Sequence, residues 1–149
     1  MISMKPKTEI AGEKFLAGYN CTQAVLHVFC DDLQFDKNLA LKLACGFGAG
    51  MGRRQEVCGA ISGGILAIGL KHGRGEGQDK ALTEETYRKV RELMSRFEST
   101  HGTCHCRALL GGCDLGTPAG QQTFKDAGLL RKICAPCVKS VVQAVEEIL

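Results

Sequence analysis

The sequence predicts an all-α protein: a single-domain helical bundle with a central glycine-rich apolar helix and cysteine-rich loops. Three observations carry that prediction. Apolar residues recur at three- and four-residue spacing along most of the chain, the period of one buried helical face. No segment alternates apolar and polar residues as a half-buried strand requires. Helix-start residues, Asp36 and Thr117-Pro118, stand where the helical period resumes. The 149 residues suit one domain, 1–149, with enough chain to bury a core.

From Gly12 to Leu33 the apolar set Phe15, Leu16, Tyr19, Ala24, Val25, Val28 and Phe29 predicts a helix interrupted near Gly18. Asp36 is the expected N-cap of a second, short helix that runs through Leu39, Ala40, Leu43 and Ala44 into Cys45 and ends in glycine. Gly46 to Gly52 alternates glycine with other residues and reads as a loop, one that turns sharply or lies against another backbone. Glu56 to Leu70 is apolar almost all round, which suits a central buried helix. Each interior glycine there costs about 1 kcal/mol relative to alanine, so a close helix contact or a cofactor must compensate. Gly59 and Gly63 share a face. The same all-round apolarity suggests a homo-oligomer.

Gly73 to Gly77 is a linker. Asp79 to Thr100 then reads as a long surface helix whose stripe includes Leu82, Tyr87, Val90, Leu93, Met94 and Phe97, with acids early and bases late to complement the helix dipole. After His101-Gly102 the chain is cysteine-rich and its regular structure is expected to be short. Thr117 caps a modest helix reaching Lys125, with proline at its first position. A closing helix opens at Cys134-Ala135-Pro136-Cys137 and buries Val138, Val141, Val142, Val145, Ile148 and Leu149.

Composition narrows the function. With 44% hydrophobic and 23% charged residues the chain is globular, disorder being expected only in the first few residues. A net charge of +3, with basic residues scattered among acids, gives no face for nucleic acid. No apolar stretch is long enough for membrane insertion, and Met1 to Lys7 lacks the features of a signal peptide, so the expected location is cytoplasmic. Nine cysteines in a reducing compartment serve as thiols, metal ligands or transient disulfides, and an odd number cannot all pair internally.

Cys58, near a helix N-terminus, is placed where unpaired amides and the dipole favour thiolate and lower its pKa, with Arg53 and Arg54 adding to the effect. The alternative is a small buried residue in a glycine-rich seam. Cys134-Ala135-Pro136-Cys137 resembles the C-x-P-C redox motif of thioredoxin-like proteins, with Cys134 attacking and Cys137 resolving, but no βαβ pattern precedes it. The same spacing also suits a metal. Cys104-His105-Cys106 with Cys113 gathers soft donors that, joined by Cys134 and Cys137, could hold zinc or an iron–sulfur cluster. His105 reads as a surface residue, and His27, His72 and His101 as solvating helix ends or faces. Covalent c-type haem is excluded, since no Cys-x-x-Cys-His occurs. Gly48-x-Gly50 holds half of a dinucleotide fingerprint but follows a helix rather than a strand, which argues against phosphate binding.

Gly46-Phe47-Gly48-Ala49-Gly50-Met51-Gly52-Arg53, followed by Glu56-Val57-Cys58-Gly59-Ala60-Ile61-Ser62-Gly63, resembles the centre of the small bacterial redox-active proteins named for a C_GCAxxG_C_C pattern. Asn20-Cys21-Thr22-Gln23-Ala24 resembles the first cysteine segment of that family, Cys106-Arg107-Ala108-Leu109 the third, and Cys134 with the closing helix the fourth, so the resemblance spans nearly the whole chain. It implies that Cys21, Cys58, Cys106 and Cys134 are the family cysteines and converge inside the bundle. With Cys137 they form the expected catalytic set for a thiol-based redox or electron-transfer protein, an oxidoreductase where it acts as an enzyme, with an unknown redox partner. Cys21, Cys58, Cys104, Cys106, Cys113, Cys134 and Cys137 are the candidate ligands if an iron–sulfur cluster or zinc is bound. The competing expectation is a non-enzymatic zinc-binding module whose apolar helix faces make an oligomeric interface.

Overall fold

A computed structural model describes residues 5–149; the disorder expected at Met1–Met4 lies outside them. Helix α1 (Lys7–Leu16) follows Pro6, and the chain breaks at Gly18, whose φ of +110° suits a residue without a side chain. Asn20 then opens α2 (Cys21–His27) with a reciprocal capping box. The Gln23 amide donates to Asn20 Oδ1 at 3.0 Å and the Asn20 amide to Gln23 Oε1 at 3.0 Å. The expected interruption is therefore a complete break, and it makes Cys21 the first residue of a new helix. Asp36 caps α3 (Lys37–Ala44) as expected, accepting from the Leu39 amide at 2.7 Å.

The glycine-rich segment is not an open loop. After a 3₁₀ turn at Cys45–Phe47, the short element α4 (Gly48–Met51) leads into a left-handed coil, with φ of +54° at Ala49, +65° at Gly50, +69° at Met51, +58° at Gly52 and +68° at Arg53. Residues with a side chain cost about 1–2 kcal/mol each in that conformation, so neighbouring contacts must hold it. The Gln55 amide donates to Ala49 O at 3.1 Å and the Glu56 amide to Gly50 O at 3.0 Å. Gln55 itself is 2% exposed; its Nε2 donates to Cys113 O at 2.6 Å and its Oε1 accepts from the Leu115 amide at 2.8 Å. A Cβ on Gly50 would lie 2.6 Å from Gln55 Cα, so this turn closes only around glycine.

Helix α5 (Gly59–His72) starts three residues later than Glu56 because the chain before it is extended. Val57 forms an isolated antiparallel bridge with His105, the Cys58 amide donating to Cys104 O at 2.8 Å and the Cys106 amide to Glu56 O at 2.7 Å. The glycines of α5 serve helix contact. A Cβ on Gly63 would meet Thr22 O at 2.7 Å on α2, and one on Gly64 would meet Leu93 Cδ2 at 2.8 Å and Val141 Cγ1 at 2.9 Å on the opposite side. Leu93 belongs to α6 (Ala81–His101) and Val141 to α9 (Ala135–Ile148), so α5 is the central rod against which α2, α6 and α9 pack. Much of its apolar surface is consumed within the chain. Ile61 and Ile68 of α5 join Val25, Phe29, Leu93, Val138, Val141, Val142 and Val145 in the core. Tyr87, expected on the apolar stripe of α6, is exposed.

Helix α6 ends at Gly102, φ +86°, and short α7 (Cys106–Leu109) follows. Thr117 caps α8 (Pro118–Asp126), its Oγ1 accepting from the Gly120 amide at 3.0 Å. A π turn, Leu130–Cys134, then runs directly into α9. Pro136 has no amide to donate and its ring crowds the carbonyl four residues back, and the wider π turn absorbs that defect. Cys134 is therefore inside a continuous helical run, not at a free helix start as the sequence suggested. The fold is all-α, and no helix among the described residues is long and apolar enough to cross a membrane.

Candidate functional site

Five of the nine cysteines line one pocket: Cys21, Cys58, Cys106, Cys134 and Cys137. Each is brought there by a local feature already described. The Asn20 capping box starts α2 at Cys21, and the Val57–His105 bridge draws Cys58 and Cys106 together. The π turn and first turn of α9 carry Cys134 and Cys137. Gly59 makes the closest approach possible, since any Cβ there would overlap Cys21 Sγ and lie 2.8 Å from Thr22 Oγ1. Thr22 locks the contact by donating to Gly59 O at 2.8 Å.

Within the pocket Cys58 and Cys137 are neighbours. That contact, with burial, holds the Cys58 pKa well above the ordinary thiol value, although the Ala60 and Ile61 amides at the start of α5 pull the other way. The lowered pKa expected from the helix dipole is overturned because desolvation and the neighbouring sulfur outweigh two amides. Burial pushes Cys21 up to about 11, with Cys58 adding to the rise. It pushes Cys106 and Cys134 up to about 12, again with repulsion from the other thiols. At neutral pH Cys21, Cys58, Cys106 and Cys134 are protonated thiols.

Behind Cys137 stands His101, which the sequence did not single out. Its Nδ1 lies 4.0 Å from Cys137 Sγ and its Nε2 2.9 Å from Ser140 Oγ. The ring stacks at 4.4 Å from that of Phe97, and burial lowers its pKa, keeping it neutral near pH 7. In the Nε2–H tautomer it donates to Ser140 and accepts from the Cys137 thiol. The helical spacing Val90, Met94, Phe97, His101 could have placed it on the inner face of α6. Its partner lies 36 residues on, out of reach of any local pattern.

The other candidates lie apart. Cys104 donates to Met94 O at 3.5 Å and faces Glu98 at 3.8 Å, while Cys113 donates to Gly120 O at 3.2 Å; neither lines the pocket. Cys30 is buried against Leu26 O, and Cys45 and His105 are exposed. Arg54 turns to Glu56, 3.7 Å away, but Arg53 lines the pocket. Thiolates are the donors that zinc and iron–sulfur clusters use. Among the described residues, however, no three Cys, His, Asp or Glu side chains stand where they would hold one metal ion. The arrangement suits paired thiols better than a closed metal cage.

A family model described as "Putative redox-active protein (C_GCAxxG_C_C)" matches residues 19–148, from just before α2 to the end of α9. No curated protein and no solved structure matches the chain. With a match of that extent, the chain belongs to the C_GCAxxG_C_C family.

Proposed function

We propose that this is a dithiol redox protein of a reducing, cytoplasmic compartment whose working pair is Cys58 and Cys137. The observation that carries the reading is the placing of both thiols in the lining of one accessible pocket, with His101 Nδ1 4.0 Å from Cys137 Sγ. The Cys137 thiol passes its proton to His101, and the thiolate attacks one sulfur of a disulfide entering the pocket. A mixed disulfide forms and one thiol leaves. Cys58 then displaces Cys137's partner sulfur, closing a Cys58–Cys137 bond. Two protein thiols and one substrate disulfide become one protein disulfide and two substrate thiols, a transfer of two electrons and two protons. Cys21, Cys106 and Cys134, charge-coupled to Cys58, can receive the disulfide by further exchange.

The test is anaerobic purification followed by a thiol count, metal and sulfide analysis, and peptide mapping after oxidation by a small disulfide. A gain of two thiols on reduction and a Cys58–Cys137 cross-link, lost in Cys58→Ser and Cys137→Ser, is the expected result. Stoichiometric iron with sulfide, or zinc bound without any thiol change on reduction, would replace the dithiol reading with a cluster or a structural zinc module.

A further inference from the structure

The cavity in front of the cysteines measures about 360 Å³, within the size range of small-molecule sites. Its outer wall is apolar, formed by residues such as Phe15, Leu109, Leu115, Phe124 and Ile133, so the space is shaped for a hydrophobic body. Its charged lining is of one sign. Arg53 and Lys125 border it, and no aspartate or glutamate does. Two further surface hollows mix signs, one with Lys7 and Lys71 beside Asp32 and Glu146, another with Arg96 beside Glu147. Neither Arg53 nor Lys125 has an ion-pair partner among the described residues, whereas Arg54, next in the chain, pairs with Glu56. Two costly backbone features also border this one cavity: the left-handed coil, which sets Ala49 and Arg53 at its edge, and the π turn, which supplies Leu130, Ile133 and Cys134. Strained turns and π turns persist where surrounding structure enforces them, commonly at ligand sites.

We infer that the pocket binds a small amphiphilic anion, with its apolar body against the Leu and Phe wall and its acidic group between Arg53 and Lys125. The inference rests on the dithiol reading for the ligand's role, which is to present a reducible group such as a disulfide to Cys137 and Cys58. Binding itself is independent of that chemistry. Mixed apolar and cationic recognition discriminates against neutral analogues, because the two cations gain nothing from them.

The test uses two probes with the same rings, 8-anilinonaphthalene-1-sulfonate and neutral N-phenyl-1-naphthylamine, titrated into the reduced full chain. The sulfonate should bind with one-to-one saturation and at least about tenfold more tightly than the neutral probe. The double variant R53Q/K125Q, both positions exposed, should erase that difference and leave the affinity of the neutral probe unchanged. Bound sulfonate should slow maleimide labelling of Cys106 and Cys134 and leave exposed Cys45 unaffected, which fixes the location. Equal affinities for the two probes, an unchanged sulfonate affinity in the double variant, or equal protection of Cys45 would overturn the inference. The same titration on C58S/C137S should give the native affinity, since binding does not need the dithiol. A native chain that binds the sulfonate but never forms the Cys58–Cys137 disulfide defeats the dithiol reading, and one that forms the disulfide but ignores the sulfonate's charge defeats this one.

Discussion

A cysteine's chemistry is set by where its proton goes, and in this pocket burial makes the proton hard to lose. Raised pKa values protect the thiols of Cys21, Cys58, Cys106 and Cys134 from indiscriminate oxidation at neutral pH, because thiolate is the reactive form. Reaction therefore needs a local acceptor, and His101 is the imidazole beside Cys137. Its lowered pKa keeps it unprotonated at pH 7, so it can accept, and it loses that capacity as pH falls through a value below 6.5. Replacing it by phenylalanine keeps the ring stacked on Phe97 but removes the acceptor. We expect His101→Phe to slow dithiol oxidation by a small disulfide at least about tenfold at pH 7. The deficit should shrink as pH rises towards 9, where solvent hydroxide replaces the histidine. Stopped-flow rates across pH 5.5 to 9 check this, and a variant with native rates throughout would remove His101 from the chemistry.

At the scale of elements, the unusual turn conformations supply the site and the regular helices supply its frame. The frame was legible: the valine positions of α9, the Asp36 and Thr117 caps and the apolar α5 all follow from period and capping chemistry. What escaped the sequence was long-range. The Val57–His105 bridge joins segments that show no alternation, and Gln55 fastens the left-handed coil to the loop at Cys113 and Leu115. No local rule announces that a glutamine will be buried 58 and 60 residues from its partners. The π turn was hidden for the opposite reason, since proline near a helix start reads as a favourable N-terminal residue and masks the helical run before it. Gln55 gives the element-scale prediction. Gln55→Ala leaves the Cys113 carbonyl and the Leu115 amide without their partner, at about 1–3 kcal/mol for each buried group left unsatisfied. Urea unfolding should show a loss of about 2–5 kcal/mol. Labelling of Cys58 and Cys106 should accelerate as the coil loosens. A loss below about 0.5 kcal/mol would mean that the coil holds without this anchor.

For the molecule as a whole, Cys21, Cys58, Cys106 and Cys134 line one pocket, but their electrostatic state was not legible in the sequence. A dipole argument considers one helix end; in the folded chain each thiol also feels its burial and the other sulfurs, and these dominate. Four thiols of this pocket, Cys21, Cys58, Cys106 and Cys134, therefore couple folding to pH. In the unfolded chain the thiols titrate near 9, while in the folded chain Cys21 holds its proton to about 11 and Cys106 and Cys134 to about 12. Below pH 9 both states are protonated and stability is unaffected. Between 9 and 11 the unfolded state releases protons that the folded state keeps, so stability falls as pH rises, by about 1.4 kcal/mol per pH unit for each such thiol. Forming the Cys58–Cys137 disulfide removes Cys58 from these groups and should flatten the decline. Denaturation of the reduced chain, followed at pH 7.5, 9 and 10.5, should lose stability steeply over the last interval. C106S/C134S, which removes two thiols that can titrate only on unfolding, should lose about 3 kcal/mol less across that interval than the native chain if the pocket keeps its shape. Parallel curves for the two proteins would mean that these sulfurs are solvated in solution, and the closed pocket from which their high pKa values arise would have to be abandoned.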